Sequence, residues 1–223
     1  MSDILSRQEQ LHLQKYDNLF IIGCGGIGSW VSLFSGLCGC FNHIYIWDPD
    51  KIEDTNLNRT PFTEFDIGYY KVDAVNKLID QRRISQYRHK YYNDDFELKV
   101  NIFREKFTAE EYNKKIKHMD DEDSIVIDCR DGIYDDIKLF RCKVFKVNYD
   151  GLSITVDGNP KERTIWGQRQ GTYNIIPSFI CPSVFAANFI VNEICTNPVE
   201  NQFNDLMTFD SKNMLTIIQR GAI

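Results

Sequence analysis

Short apolar runs alternate with helix-forming segments along the chain as far as residue 150. Most of these runs are almost continuously apolar, which is typical of strands buried on both faces of a parallel sheet. We predict strands at residues 18–23, 43–48, 87–93, 124–128 and 144–149. We predict helices between them at residues 29–40, 71–83, 108–118 and 133–142. This alternation indicates an α/β fold, with a mostly parallel sheet and helices on both faces.

The pattern changes after Gly151. Asp157-Gly158 lies between two β-rich runs and predicts a hairpin, and the tail 205–220 has two alternating runs about "DSKN", which predict a second hairpin. An apolar helix is predicted between them at 183–195. We expect these antiparallel hairpins to extend the sheet. We therefore expect a single domain over 1–223, with an N-terminal helix (1–17), a parallel core (18–150) and a β-rich extension with one helix (151–223).

The composition excludes several classes of function. Hydrophobic residues make up 43% of the chain and charged residues 26%, as in a folded globular protein. The formal net charge is -6, so nucleic acid is not an expected partner, although "QRRISQYRHK" (81–90) is locally basic. No apolar stretch reaches the roughly 18 residues of a membrane-spanning helix, and the N-terminus lacks a secretory pattern. We expect a cytoplasmic protein with no membrane partner.

The seven cysteines form no recognisable disulfide framework or metal motif. Their number is odd, and most of them lie inside apolar segments. Cys38 and Cys40 are separated by one residue, and no pair is separated by two, so the usual spacing of zinc ligands is missing. We therefore expect no structural zinc.

The stretch "IIGCGGIGSW" (21–30) predicts a nucleotide site. Gly23, Gly25 and Gly28 match G-x-G-x-x-G, with Gly26 as an additional glycine, between a predicted strand and a predicted helix. Such a turn brings backbone N–H groups close to phosphate oxygens at a helix N-terminus. Asp48 follows at the end of the next strand, where a carboxylate accepts hydrogen bonds from ribose hydroxyls. The core is therefore expected to be Rossmann-like.

A polar segment downstream favours ATP over a dinucleotide. The segment "DPDKIEDTNLNRTPF" (48–62) contains Asn56 and Arg59, and Lys71 follows at the start of a predicted helix. Hydride transfer develops little charge near dinucleotide phosphates, whereas phosphoryl or nucleotidyl transfer accumulates negative charge that fixed cations stabilise. An NAD(P)-dependent oxidoreductase is the alternative, but it leaves Arg59 and Lys71 without a role.

The same segments resemble the ThiF/MoeB-type adenylating enzymes, which are related to the ubiquitin-activating enzymes. The motifs are "DPD" (48–50), "TNLNRT" (55–60), "GYYK" (68–71), "IDCRDG" (127–132) and "LMTFDSKNMLTIIQR" (206–220). The resemblance begins near residue 19 and is weaker at 85–120 and 155–180. It departs from the family pattern at Thr60, where the family has glutamine, and at Gly132, where it has asparagine.

The resemblance implies an ATP- and Mg²⁺-dependent adenylyltransferase that activates a carboxylate, and we expect the C-terminus of a small protein or peptide as its substrate. The implied site comprises Gly23, Gly25, Gly26 and Gly28 at the phosphates, Asp48 at the ribose with Asp50 beside it, Asn56, Arg59 and Lys71 at the triphosphate, and Asp131 at Mg²⁺. Asp128 is a less favoured ligand of the metal. The resemblance also implies a homodimer, in which Arg7 reaches the active site of the neighbouring subunit.

Each of these residues taken alone has a simpler explanation. Arg59 and Lys71 can be solvated cations, Asn56 a turn residue, and Asp131 an N-cap of the following helix. Cys181, in the turn before a helix, is a candidate acceptor for an acyl group, or else a buried cysteine. A non-catalytic scaffold with the same fold is a further alternative.

Overall fold

One mixed β-sheet organises the protein, as seen in a computed structural model that describes residues 8–87, 98–132, 134–162, 179–210 and 215–219. Its strands are β1 (Tyr16–Ile22), β2 (Phe41–Trp47), β3 (Lys99–Phe103), β4 (Ser124–Asp128), β5 (Lys143–Asp150), β6 (Ser153–Asp157), β7 (Leu206–Asp210) and β8 (Leu215–Gln219). They are arranged in the order β3-β2-β1-β4-β5-β6-β7-β8. Pairing is parallel from β3 to β5 and antiparallel from β5 to β8. The predicted fold class is confirmed.

Helices complete the fold. They are α1 (Gly26–Cys38), α2 (Lys71–Tyr87), α3 (Ala109–Glu111, continued by a π-helical turn at Tyr112–Ile116) and α4 (Ile180–Thr196). Short 3-10 helices occur at Glu9–Leu11, Asp54–Asn56, Glu64–Asp66, Asp135–Leu139, Pro160–Glu162 and Val199–Asn201. Within the described ranges, no helix combines the length and the apolar character needed to cross a membrane.

Helical segments cover both faces of the sheet, which explains the continuous apolar runs. Successive residues of a strand point to opposite faces. In β1, Leu19 and Ile21 join a core shared with α1, α2 and α4, whereas Phe20 and Ile22 join a second, largely aromatic core with Trp47. Because β1 is buried on both faces, its sequence does not alternate between apolar and polar residues.

The third parallel strand was predicted in the wrong place. α2 continues to Tyr87, so the strand predicted at 87–93 is wrong at its first residue, and residues 88–97 lie outside the described part of the chain. β3 occupies this place in the sheet instead. Because β3 is at an edge and its side chains are only half-buried, "KVNIF" does not stand out as an apolar run.

The helix predicted at 133–142 is present only as the short 3-10 helix at Asp135–Leu139. The buried carboxylate of Asp120 prevents this helix from continuing to residue 142. Asp120 is fully buried and accepts hydrogen bonds from the backbone N–H groups of Arg141 (2.6 Å) and Cys142 (2.9 Å). These bonds hold the chain in an extended path that leads into β5.

The hairpin predicted at Asp157-Gly158 is also wrong. β6 pairs with β5 on one side and with β7 on the other, so the hairpin lies earlier, at the two-residue turn 151–152. Gly158 is required for another reason, because a Cβ there would lie 1.9 Å from the carbonyl oxygen of Phe203. The second predicted hairpin is confirmed as β7 and β8, although residues 211–214 of its turn lie outside the described residues.

The predicted N-terminal helix lies only partly within the described residues. Residues 1–7 lie outside them, Glu9–Leu11 form one 3-10 turn, and β1 begins at Tyr16. The described part of this segment is therefore a short turn followed by a strand.

We predict that Asp120→Asn lowers the free energy of unfolding at neutral pH by about 2 kcal/mol, because the new amide N–H₂ would face donors that need an acceptor. Asp120 also accepts a hydrogen bond from the Tyr112 hydroxyl at 2.6 Å. Urea denaturation measures the loss, and Asp80→Asn, an exposed change in α2, is the control. Equal stability of the two variants would contradict the prediction.

The same carboxylate predicts a dependence on pH. Burial raises the pKa of Asp120, but the hydrogen bonds that it accepts outweigh burial and lower the pKa below its usual value. A lowered folded-state pKa contributes stability above the unfolded-state pKa, and this contribution is lost as pH falls through the folded-state value. Below about pH 4, the wild type should therefore lose stability more steeply than Asp120→Asn.

Candidate nucleotide-binding site

A cavity of about 690 Å³ lies at the carboxyl ends of the parallel strands. It opens where the strand order reverses between β1 and β4, the position at which open α/β sheets bind ligands. The predicted residues that line it are Gly23, Gly25, Gly26, Asp48, Asp50, Asn56, Arg59, Lys71 and Asp131. The structure thus brings most of the predicted site together.

The turn between β1 and α1 presents an uncapped helix N-terminus to the cavity. α1 begins at Gly26, and no side chain in the described ranges caps it at Gly25. The first N–H groups of a helix have no partner within the helix and carry the positive end of its dipole. This end of α1 therefore suits an anion.

The glycines of the turn serve different purposes. Gly23 has a φ of 93°, in the left-handed region that favours glycine. At Gly28 a Cβ would lie 1.9 Å from the carbonyl oxygen of Gly23, so the close packing of α1 on the end of β1 excludes any side chain. At Gly25 a Cβ would meet nothing within 4 Å, and the residue lines the cavity. The fold therefore leaves space for a side chain at Gly25, and a ligand in the cavity would compete for that space.

Asp48 and Lys71 form a charged pair beside this turn. The Asp48 carboxylate accepts hydrogen bonds from the backbone N–H groups of Cys24 (2.7 Å) and Asp50 (2.8 Å), which hold it at the end of β2. Nζ of Lys71 lies 2.9 Å from Oδ2 of Asp50 and 4.0 Å from Oδ1 of Asp48. Burial raises the pKa of Asp48, while Lys71 and the two N–H groups oppose the shift. Lys71 is thus paired with carboxylates and is not simply a solvated cation.

Asn56 and Arg59 belong to a turn that is held together by its own hydrogen bonds. The Asn56 side chain accepts a hydrogen bond from the N–H of Glu53 (3.1 Å), and the Arg59 guanidinium donates to the carbonyl of Thr55. Thr60, at the position where the family has glutamine, is buried and donates to the carbonyl of Asn56 at 2.9 Å. Asn56 is therefore a turn residue that also lines the cavity.

A network of buried charges lies at the end of β4. Asp128 is fully buried, and its carboxylate accepts hydrogen bonds from the Arg130 guanidinium (2.9 and 3.1 Å) and the Lys146 ammonium (3.2 Å). Arg130 also pairs with Asp136 at 2.7 Å and lies over the Tyr134 ring at 4.0 Å. Because cations already contact both oxygens of Asp128, this residue is a poor metal ligand.

Asp131 is the carboxylate of this motif that faces solvent. It is exposed and lines the cavity. The alternative that Asp131 is an N-cap is wrong, because the next helical segment has Tyr134 at its N-cap. Gly132 has a φ of 98°, a conformation that asparagine adopts more readily than most residues. Glycine therefore suits the position at which the family has asparagine.

The structure does not bring Cys181 into the cavity lining. Cys181 is exposed in the first turn of α4, so the alternative of a buried cysteine is wrong. The start of α4 is nevertheless close to the glycine turn, because a Cβ at Gly26 would lie 3.2 Å from Oγ of Ser183. Arg7 lies outside the described residues.

Several residues of the cavity were not predicted from the sequence. Arg130 lies inside the motif "IDCRDG", and a charged residue directly after a predicted strand could have indicated that it lines the cavity. Lys106 and Phe107 follow β3, and Tyr134 follows β4. They belong to no motif, and only the order of the strands in the sheet places them at this cavity.

The sequence matches one family model. The model of the ThiF family covers residues 1–145, which include the glycine turn, the Asp48–Lys71 segment and the motif at the end of β4. The chain belongs to the ThiF family. A search of curated proteins found no match.

Solved structures of other proteins share the fold of this ThiF family member. E. coli MccB with MccA-N7isoASN has a TM-score of 0.68 and 17% identity, and the match covers 92% of this chain and 64% of that one. MccB with ATP has a TM-score of 0.66 at 18% identity, and PaaA has 0.65 at 16%, with the same coverage. This chain therefore spans 64% of the length of these neighbours.

We predict that Gly28→Ala strongly destabilises the protein, although alanine normally favours a helix over glycine by about 1 kcal/mol. The new methyl group would meet the backbone carbonyl of Gly23, which has no rotamer to change, and such overpacking costs about 3 kcal/mol or more. Thermal unfolding followed by circular dichroism measures the effect. Gly25→Ala is the matched control and should keep the wild-type Tm, and a Gly28→Ala variant with that same Tm would refute the assignment.

Proposed function

We propose that this protein is an ATP-dependent adenylyltransferase that activates a carboxylate as an acyl-adenylate and releases pyrophosphate. One observation carries the proposal: an uncapped helix N-terminus, the Lys71 ammonium and the exposed carboxylate of Asp131 all line a single cavity. A helix N-terminus and a cation favour phosphate oxygens, and a carboxylate suits the divalent ion that accompanies a triphosphate. Membership of the ThiF family supports the proposal, as does a fold shared with MccB, which was crystallised with ATP.

The triphosphate would lie along the glycine turn. The N–H groups at the start of α1 supply fixed donors, and Gly25 leaves room for phosphate oxygens. The Lys71 side chain is 11% exposed, and its closest carboxylate, Asp50, is 65% exposed. Phosphate oxygens could therefore displace Asp50 from Lys71, because the exposed Asp50 carboxylate would then be solvated by water and not left buried without a partner. Arg59 lines the same cavity and would add a second cation.

The nucleoside would lie beyond the ends of β2, β3 and β4. A carboxylate offers about four lone-pair sites, so Asp48 retains acceptor capacity for ribose hydroxyls after accepting two backbone hydrogen bonds. Phe107 and Tyr134 line the cavity and would place aromatic side chains beside an adenine ring. A dinucleotide would use the glycine turn and Asp48, but it would give Lys71 and Asp131 no function.

The proposed reaction depends on alignment more than on proton transfer. A C-terminal carboxyl group has a pKa of about 3.3 to 3.7, so it is ionised at neutral pH and needs no general base. A carboxylate oxygen attacks the α-phosphorus, the bond from this phosphorus to the bridging oxygen of the β-phosphate breaks, and pyrophosphate leaves with the bonding electrons. Lys71 and the N-terminus of α1 stabilise the negative charge on the phosphoryl oxygens.

Asp131 is the residue that we assign to Mg²⁺. Its exposed carboxylate is the kind of oxygen ligand that Mg²⁺ prefers, whereas Asp128 is engaged by Arg130 and Lys146. When bound, the ion would neutralise part of the charge on the phosphates. Asp131 would hold the Mg²⁺ ion in the cavity, outside the buried charge network around Asp128.

The substrate that we propose is the C-terminal carboxylate of a small protein or peptide. Structures of MccB include complexes with MccA, and one of them presents MccB as a microcin C7 biosynthetic enzyme with N-formylated MccA. A homodimer, a cytoplasmic location and a role for Arg7 or Cys181 stay predictions.

We predict that ATP with Mg²⁺ stabilises the protein, by about 2.7 kcal/mol at a ligand concentration of 100 Kd, because a ligand that binds only the folded state adds its binding free energy. Gly25→Ala should fold as the wild type does but lose this stabilisation, since its methyl group would occupy the space of the phosphates. Thermal shift measures both. Stabilisation by NAD⁺ or NADP⁺ instead of ATP would favour the oxidoreductase alternative.

We predict that Lys71→Ala and Asp131→Asn each lower ATP–pyrophosphate exchange by about 10²-fold or more, the usual effect of removing one group that stabilises developing charge. A screen of peptides and small proteins with free C-termini supplies the acceptor for the assay. Lys77→Ala, an exposed lysine on the same helix, and Asp135→Asn, outside the cavity lining, are the matched controls. Full exchange in both site variants would refute the assigned roles, whereas exchange absent in the wild type with every acceptor would favour a scaffold.

A further inference from the structure

Three cysteine side chains converge at the end of the sheet opposite to the cavity. Cys38 ends α1, Cys40 precedes β2, and Cys195 lies in the last turn of α4. Their sulfur atoms all lie within 4.8 Å of one another, and the Cys195 thiol donates to the Cys38 sulfur at 3.9 Å. Cys40 and Cys195 are buried, and Cys38 is half-buried.

The backbone around the cluster is fixed by hydrogen bonds. The N–H of Tyr16 donates to the carbonyl of Cys40 at 2.9 Å, and the N–H of Gln14 donates to the carbonyl of Cys195 at 2.8 Å. Gly39, with a φ of 69° at the end of α1, reverses the chain between the first two thiols. Cys38 and Cys195 are therefore in helices, and Cys40 lies in the short connection directly before β2, where its carbonyl is held by a backbone hydrogen bond.

The cluster is separate from the candidate nucleotide site. It lies at the amino ends of β1 and β2, whereas the cavity lies at their carboxyl ends. β2 has seven residues, so about 20 Å of strand separates the two places. None of the three cysteines lines the cavity.

The chemistry of the cluster suits a metal ligand set. Deprotonated cysteine is the form that binds metals, and three sulfur atoms within 4.8 Å of one another can offer three such ligands to one ion.

We propose that Cys38, Cys40 and Cys195 together bind one thiophilic metal ion, with Zn²⁺ as the expected ion. Zn–S bonds of about 2.3 Å in a tetrahedral site place two sulfur ligands about 3.8 Å apart. The observed separation of Cys38 and Cys195 is 3.9 Å, so binding requires little movement of these ligands. A solvent molecule would take the fourth position at the half-buried Cys38.

The bound ion would join α1, the start of β2 and the end of α4. α4 is far from α1 in sequence, since Cys38 and Cys195 are 157 residues apart. A disulfide would use only two of the sulfurs and would require an oxidant, so the convergence of a third sulfur favours a metal. This proposal replaces the expectation that the protein has no structural zinc, which rested on sequence spacing and could not reveal cysteines that meet only in the fold.

Zn²⁺ and Co²⁺ titrations of the metal-free, reduced protein test the proposal. We expect one equivalent of Zn²⁺ per chain in competition with a chromophoric chelator, and a thiolate-to-metal charge-transfer band with Co²⁺. Cys38→Ser should weaken the affinity more than about 100-fold, because losing a ligand exceeds the 10- to 100-fold effect of losing an outer-shell partner. The affinity should also fall as pH is lowered, because protons compete with the ion for the sulfurs.

Cys181→Ser, at the exposed cysteine of α4, is the matched control and should bind Zn²⁺ as the wild type does. Cys195→Ser provides a second test at a buried ligand, and its circular dichroism spectrum reports whether it folds. The proposal is overturned if the folded wild type binds no Zn²⁺ at one equivalent, or if folded Cys38→Ser binds it as tightly as the wild type. It is equally overturned if mass spectrometry after alkylation finds a disulfide between two of these cysteines in protein purified without reductant but with chelator.

Discussion

The contact between the first turn of α1 and the end of β1 is the constraint on which the candidate site depends. Gly28 packs so closely on the carbonyl of Gly23 that no side chain fits between them. This packing keeps the first residues of α1 at the carboxyl edge of the sheet, where Gly25, Gly26 and Ile27 line the cavity. At the same edge, Asp48 lies at the end of β2 and the motif "IDCRDG" (127–132) lies at the end of β4. The backbone contact thus places the helix N-terminus beside charged groups that the other elements carry.

The buried charges behind the cavity have a structural explanation of their own. Asp128, Arg130, Lys146 and Asp136 contain two acids and two bases, so the network is close to neutral. Burying an isolated charge is costly, whereas a paired and hydrogen-bonded set reduces that cost. Asp131 and Lys71 line the cavity outside this neutral network, and Lys71 pairs there with Asp50. Arg130 lines the cavity, but its charge is already balanced by carboxylates.

Much of the parallel half could be predicted because its signals are local. β1 and β4 are buried on both faces and β2 is largely buried, so all three appear as apolar runs, and the glycine turn has a fixed spacing. β3 could not be recognised, because a half-buried edge strand has no such run. The hairpin at Asp157-Gly158 was wrong because the glycine there makes room for the chain at Phe203, a contact that depends on the tertiary fold. Arg130 was not predicted as a cavity residue, although it lies within the motif "IDCRDG".

α1 connects the two ends of the sheet. Its N-terminus borders the cavity, and its last residue, Cys38, belongs to the thiol cluster. A helix of thirteen residues is a stiff rod about 20 Å long, packed along its length against α2 and α4. A ligand that shifted this rod along its axis would change the geometry at both ends. Thermodynamic reciprocity then requires that occupancy of either end influence the affinity at the other by the same factor.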